Sequence, residues 1–515
     1  MTAGETLRGL LGTGVDGAPA IVSPDGSVLT HAGMRSEVDR LAGRLRGLGL
    51  GPADRIAIVV PNGPEMALAF LAAACTGCAA PLNPKYRTDE LRFYFDDLGA
   101  KALVTLPDDS GAVARAAARE AGAAVLPVSL AGSVDGSAGA LDLVAGSGEG
   151  GAPAPGDPVA DDVALVLHTS GTTSRPKIVP LRQRHLARSA AGIAVSLALT
   201  PGDRSLQVMP LFHIHGLLAG LLAPLSAGGA VACTEGFDAF RFFAQLEALE
   251  PTYYTAVPTM HQMVISRSDR HRDTARAAGL RFVRSSSASL PAPVLHELGE
   301  LFGAPVIEAY GMTEATHQMC ANPLPPAVAK PRSVGVPAGI ELAVLDGRNR
   351  PLPPGERGEV SIKGPTVIDG YENNPEANAA AFTDGWFRTG DEGYVDDDGY
   401  LFLTGRLKEQ INRGGEKVSP LEVDEALLGH PSVAQAVTFA VPHPKLGEEV
   451  AAAVVATAGS PVDERELRRY LSQSLAAFKV PRRILVLDEL PKGPTGKLQR
   501  IGLAERLGLA PAGSE

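Results

Sequence analysis

Cysteine is scarce in this 515-residue chain, and the four present are too few to staple a fold of such size. Cys75 and Cys78 also lack a second cysteine pair with which to build a zinc site. The four read instead as reduced, small and mostly buried, the first two closing the apolar segment MALAFLAAACTGCAAPLNP. No long Lys/Arg run occurs and the formal net charge is −11, which argues against nucleic acid or anionic membrane as the main partner, since both call for a basic surface. Nowhere do about twenty apolar residues follow one another, so no membrane-spanning helix is expected. The beginning, MTAGETLRGLLGTGVDG, has no basic stretch leading into an apolar run, and the ending, PAGSE, is neither a peroxisomal tripeptide nor a lipidation box. These absences leave a cytoplasmic protein with a small-molecule ligand as the expectation.

What is present begins with length, enough for two to four units of about 100 to 250 residues. Apolar β-rich runs alternate with helical patterns: RIAIVV precedes EMALAFLAAA, and DDVALVLHTS precedes a helical segment near His185. Such alternation predicts parallel strands joined by helices, with continuous runs such as Val163 to Leu167 covered on both faces. Residues 130–158 are rich in Gly, Ala, Ser and Pro and read as a loose surface connection. After GYLFLTGRLKEQINRGGEKVSP the pattern changes to a helix over Leu421 to Leu428, strands in AQAVTFAV and EVAAAVVA, and a helix in ERELRRYLSQSLA. There Leu467, Tyr470, Leu471 and Leu475 share one helical face, which suits a separate small domain of about a hundred residues.

Chemistry concentrates in TSGTTSRPK, Thr169 to Lys177. Thr169, Ser170, Thr172, Thr173 and Ser174 offer hydroxyls, Gly171 permits close backbone approach, and Lys177 adds a mobile positive charge suited to a polyphosphate. Further on come EAYGMTE, WFRTGD, LTGRLKEQINRGGEKVSP and GPTGKLQR. In this order and spacing the five segments resemble the adenylate-forming superfamily of acyl-CoA synthetases, luciferases and peptide-synthetase adenylation domains. The resemblance implies an α/β fold: a large N-terminal body of βα layers, residues 1–406, and a small mobile α+β C-terminal domain, residues 407–515, hinged near Lys408. It also implies ATP, Mg²⁺ and CoA. Thr169 to Lys177 would hold the departing pyrophosphate, Glu314 would place Mg²⁺, and Thr313 would touch the α-phosphate. Ser287, Ala288 and Ser289, with Glu308, Ala309, Tyr310 and Gly311, would frame the adenine. Asp391 would accept the ribose hydroxyls with Arg406 in support, and Lys497 would steady the transferring phosphoryl group. Rotation about Lys408 would then bring Gly414, Gly415 and Lys417 against the thiol arm.

The expected acid-binding region is polar, whereas a long acyl chain needs an apolar wall. PLFHIHG supplies His213, counted with the catalytic set, and His215, which would share one side of an extended segment. THQM supplies His317, and RSSSASL supplies Arg284 and Ser287. Together with Ser174 these stretches are similar to the oxalate-CoA ligase branch, which implies His213, Ser287 and His317 as oxalate contacts and, after them, His215 and Arg284. Gly311 stands where that branch more often has Ala. Malonate, acetate and short or medium fatty acids remain alternatives, as do a metal hydrolase using His213, His215, Glu314 and His317 and a non-catalytic nucleotide binder. CoA and a carrier protein's pantetheine present the same thiol.

Overall fold

The computed structural model describes residues 3–106, 111–121, 126–131, 142–145, 156–169, 176–457, 459–492 and 498–509. Two large sheets carry its main body. A seven-stranded sheet runs Asp142–Ala145, Leu126–Ala131, Ala102–Thr105, Arg55–Val59, Cys78–Pro81, Val163–Thr169, Lys177–Arg182. A nine-stranded sheet runs Val336–Pro337, His317–Ala321, Val306–Met312, Phe282–Ser286, Tyr253–Ala256, Arg204–Gln207, Ala230–Cys233, Pro19–Val22, Val28–Thr30. The expected parallel pairing holds in the centre of both, where apolar runs are covered on two faces. Antiparallel strands close their edges.

One buried cluster joins the sheets through the helices between them. Helix Pro64–Ala74 is apolar all round, starts on a proline and has Phe70 and Leu71 at 0 % exposure, as befits a helix with no solvent face. Helix Gln183–Ser196 and the π-helical turn Gly216–Leu222 lie in the same cluster. All four cysteines are free and buried, and burial pushes Cys75, Cys78 and Cys233 up to about 12, so they are packing residues.

A five-stranded sheet follows, with Trp386–Val395 paired to Gly358–Lys363 and to Leu401–Arg406. The last sheet holds Glu416–Val418, Ile411–Arg413, Gly447–Ala456, Val433–His443 and Arg483–Val486, flanked by helices Pro420–Leu428 and Glu464–Leu471. Its buried clusters draw only on residues from Ile411 onward. Ser419 Oγ donates to the Thr404 carbonyl and Arg332 pairs with Glu425, linking this unit to the rest. Among the described residues no helix is long and apolar enough to cross a membrane.

Three expectations change in detail. Val163–Thr169 is followed by a further strand, Lys177–Arg182, before the helix, so the Ser/Thr-rich segment connects an antiparallel hairpin with Thr169 opposite Lys177. Within residues 130–158, Asp142–Ala145 is a strand on Leu126–Ala131, an antiparallel pairing that the Gly/Ala-rich composition around it hid. The ERELRRYLSQSLA helix stops at Leu471, with Leu467 and Leu471 buried and Tyr470 and Leu475 packed more loosely beside them.

Candidate active site

Adjacent parallel strands create the site's floor. Thr255, Arg284 and Ile307 are register neighbours, and Thr255 and Arg284 project to one face. Arg284 is 0 % exposed, and its Nη1 donates to Thr255 Oγ1 at 3.1 Å. Its Nη2 donates to Gln318 Oε1 at 3.1 Å. The same two nitrogens lie 3.3 Å from His215 Nε2 and 3.2 Å from His317 Nε2. Among the described residues no carboxylate is within ion-pair reach of Arg284, and burial pushes its guanidinium down to about 10.

His215 and His317 stack with ring centroids 4.9 Å apart, and both are buried. His215 Nδ1 is 3.1 Å from Ser287 Oγ, and its Nε2 is 2.7 Å from Thr255 Oγ1. Ser287 follows its strand at φ 75°, a left-handed turn that is uncommon for serine. His317 has φ 90°, and the close approach of its carbonyl leaves no room for a Cβ at Gly311: one would stand 1.8 Å from that oxygen. Glycine at position 311 is thus a packing requirement of this backbone. The PLFHIHG segment is a turn into a helix, not an extended strand, so His213 and His215 do not share a side by alternation. His213 is partly buried and its Nδ1 accepts from the His215 backbone N–H at 3.4 Å.

Beside this floor lies a second cluster. Asp391 is 5 % exposed, and Tyr310 donates its hydroxyl to Oδ2 while Arg406 Nε is 2.9 Å from Oδ1. The Asp391 charge holds the half-exposed Arg406 above its usual range, and burial reinforced by that charge raises the Tyr310 hydroxyl. Glu314 is buried and its Oε1 accepts from the Tyr371 hydroxyl at 2.9 Å. Lys177 Nζ sits 4.3 Å above the Tyr371 ring. Burial lowers the Lys177 ammonium, with Lys408 repelling it and Glu314 pulling the other way. Thr313 is buried in the turn just before Glu314. Ala309 accepts from Ser286 Oγ at 2.9 Å, and Ala288 and Ser289 are exposed at the same sheet edge. Glu308 is buried, with Oε1 accepting from Leu290 N–H at 3.3 Å and Oε2 unpartnered.

Of the predicted phosphate loop, Thr169 and Lys177 are brought to this edge; Ser170, Gly171, Thr172, Thr173 and Ser174 lie outside the described residues, as does Lys497. Arg500, three residues beyond Lys497, is anchored to Glu409 at 3.2 Å and to Asp424 at 2.6 Å. Gly414 and Gly415 form the two-residue turn of an exposed hairpin, both at positive φ, with Lys417 exposed beyond it. Sequence reading missed Thr255 and Tyr371, which belong to no quoted motif, and Gln318, which stands unremarked in THQM; their partners are 29, 57 and 34 residues away in the chain.

A magnesium ion accompanying a nucleotide needs one or two carboxylates, the phosphates supplying other ligands. The buried Glu314, oriented by Tyr371, fits that requirement. Among the described residues no group of three or more His, Cys, Asp or Glu side chains could hold a metal by themselves, and both histidine Nε2 atoms at the floor face a cation, Arg284.

The family model described as AMP-binding enzyme matches residues 13–372, and that of the AMP-binding enzyme C-terminal domain matches residues 422–497. An oxalate–CoA ligase of Arabidopsis thaliana is 47 % identical, covering 92 % of this chain and 92 % of its own. An oxalate–CoA ligase of Saccharomyces cerevisiae is 40 % identical over 88 % of this chain and 86 % of its own. The ATP-bound crystal structure of MatB from Rhodopseudomonas palustris superposes with a TM-score of 0.86 at 31 % identity, over 98 % of this chain and 99 % of that one.

Proposed function

The chain belongs to the AMP-binding enzyme family, and from that premise we propose that it activates oxalate with ATP and passes the oxalyl group to CoA. It is an AMP-forming acid–CoA ligase, acting on a small carboxylic acid with ATP, Mg²⁺ and CoA. Oxalate is the finer reading, and Arg284 carries it: a wholly buried cation, surrounded by neutral donors and acceptors and without a carboxylate partner among the described residues. Burying a lone charge is costly, and a second carboxylate on the substrate offsets it. An apolar tail gains nothing there.

In the first half-reaction an oxygen of one oxalate carboxylate attacks the α-phosphorus, and the bond to the bridging oxygen of pyrophosphate breaks. Thr169 to Lys177 hold the leaving pyrophosphate, Thr313 contacts the α-phosphate, and Lys497 steadies the charge that builds on it. Asp391, fixed between Tyr310 and Arg406, receives the ribose, and residues 287–289 and 308–311 border the adenine. Bound Mg²⁺, held at Glu314, would neutralise phosphate charge. His213, Ser287 and His317, with His215 beneath, receive the acid. In the second half-reaction the CoA thiolate attacks the acyl carbon and AMP leaves. For that step the unit from residue 407 onward turns about Lys408, bringing Gly414, Gly415 and Lys417 toward the thiol arm. A cytoplasmic setting is part of the same proposal.

The test is an acid panel with ATP, Mg²⁺ and CoA, comparing kcat/KM for oxalate, malonate, acetate and octanoate. Oxalate is expected to lead. A lead by octanoate or acetate would overturn the assignment of the pocket.

A further inference from the structure

We propose that Arg284 is a positioning residue that fixes hydrogen-bond direction: it holds His215 and His317 as neutral Nδ1–H tautomers and thereby turns the Ser287 hydroxyl into a donor toward the substrate acid. The identity of that acid as oxalate rests on the reading above; the direction of the hydrogen bonds does not.

A guanidinium has five N–H donors and no acceptor. Its Nη1 and Nη2 stand 3.3 and 3.2 Å from the Nε2 atoms of His215 and His317, so each Nε2 must offer a lone pair. At His215 the Thr255 hydroxyl fits the same arrangement. Thr255 Oγ1 accepts from Arg284 Nη1 at 3.1 Å and stands 2.7 Å from His215 Nε2, so once that Nε2 is an acceptor the hydroxyl proton has a partner there. A neutral imidazole whose Nε2 accepts carries its proton on Nδ1. His215 Nδ1–H therefore donates to Ser287 Oγ at 3.1 Å. With that lone pair engaged, the Ser287 proton is directed away from His215, at the carboxyl edge of the sheet where Ser287 leaves its strand. Doubly protonated imidazoles would set N–H against N–H beside a cation that already lacks a carboxylate. The stacking of the two rings, 21° from parallel, lets one guanidinium address both.

The result is a floor whose polarity is set from below, before substrate arrives. His215 and His317 then act as donors and not as general bases. Acceptor-only groups such as carboxylates suit it, while a distal amide, as in oxamate, is a poorer match.

The experiment uses full-length protein labelled with ¹⁵N-histidine and no acid present, the two signals assigned through His215→Gln and His317→Gln. Both rings are expected to show a protonated Nδ1 and an unprotonated Nε2. An Nε2–H signature on either ring in the wild-type protein overturns the proposal. Arg284→Met should release His317 from the Nδ1–H form and raise the KM for oxalate by about 10- to 100-fold, the range for losing hydrogen bonds to a charged group, with a much smaller change in the KM for ATP. Unchanged tautomers and an unchanged oxalate KM in a folded Arg284→Met protein would also overturn it. The wild-type spectrum needs no variant to fold, and Thr255→Val, which removes one relay contact, gives a milder second measurement with the same expected direction in KM. Because the spectrum is recorded without acid, failure of oxalate in the acid panel is told apart from failure of the tautomer assignment.

Discussion

Glu308 opens its strand's route into the site with a carboxyl kept from water, and burial, aided by the charge of Glu425, pushes it up from 4.5 to about 7. In the unfolded chain the same group ionises near its ordinary value, so between those two pH values the folded state binds more protons. Its contribution to stability is therefore complete below pH 4.5 and is lost as pH rises through about 7. Glu308→Gln removes this dependence. Melting temperatures measured from pH 5 to 8 should show the wild-type protein losing ground to the variant by a few degrees; parallel curves would contradict a buried, protonated Glu308. At this scale the sequence let the motif residues be named: Asp391 pairs with Arg406, and Thr313 and Glu314 share one turn. It was silent on Tyr371, because a tyrosine that touches both Glu314 and Lys177 can be found only once distant strands are brought together.

Among the elements, the turn Leu407–Glu409 has the narrowest function: it joins strand Leu401–Arg406 to strand Ile411–Arg413 and thus the body to the last sheet. Proline at position 408 would fix φ and remove an N–H. With the turn as the hinge, Lys408→Pro should impair thioester formation from supplied acyl-adenylate by about 10²-fold, the scale of a misplaced reacting group, while adenylation falls less. Equal effects on the two half-reactions, followed by stopped-flow, would remove the hinge role. The elements themselves were largely legible, since RIAIVV, EMALAFLAAA and AQAVTFAV became the strands and helix their patterns implied. The hairpin after Thr169 was not. A segment made mostly of small polar residues has no period, and which strand returns beside Val163–Thr169 depends on pairing and not on local composition.

For the whole molecule, the proposed mechanism assigns one lysine of the last segment, Lys497, to chemistry centred on residues before 407. Arg500, bound to Glu409 and Asp424, is tied to the turn and to helix Pro420–Leu428. Lys497→Ala should reduce adenylate formation by at least about 10²-fold, measured by pyrophosphate exchange, and leave CoA attack on preformed oxalyl-adenylate mostly intact. Equal loss of both would refute the division of labour. What the sequence determined by itself was the chemistry: ordered motifs hold their meaning because each is a local run whose backbone and side chains act within a few residues. Only the tertiary structure decided how the proposed acid pocket is charged. The sequence placed Arg284 near the acid, but its partners appeared only once strand pairing put Thr255 beside it and the turn before helix Gly216–Leu222 and the turn at His317 brought two imidazoles against it. Burial removed the water that would otherwise have answered that charge, and in the proposed reading the substrate acid answers it instead.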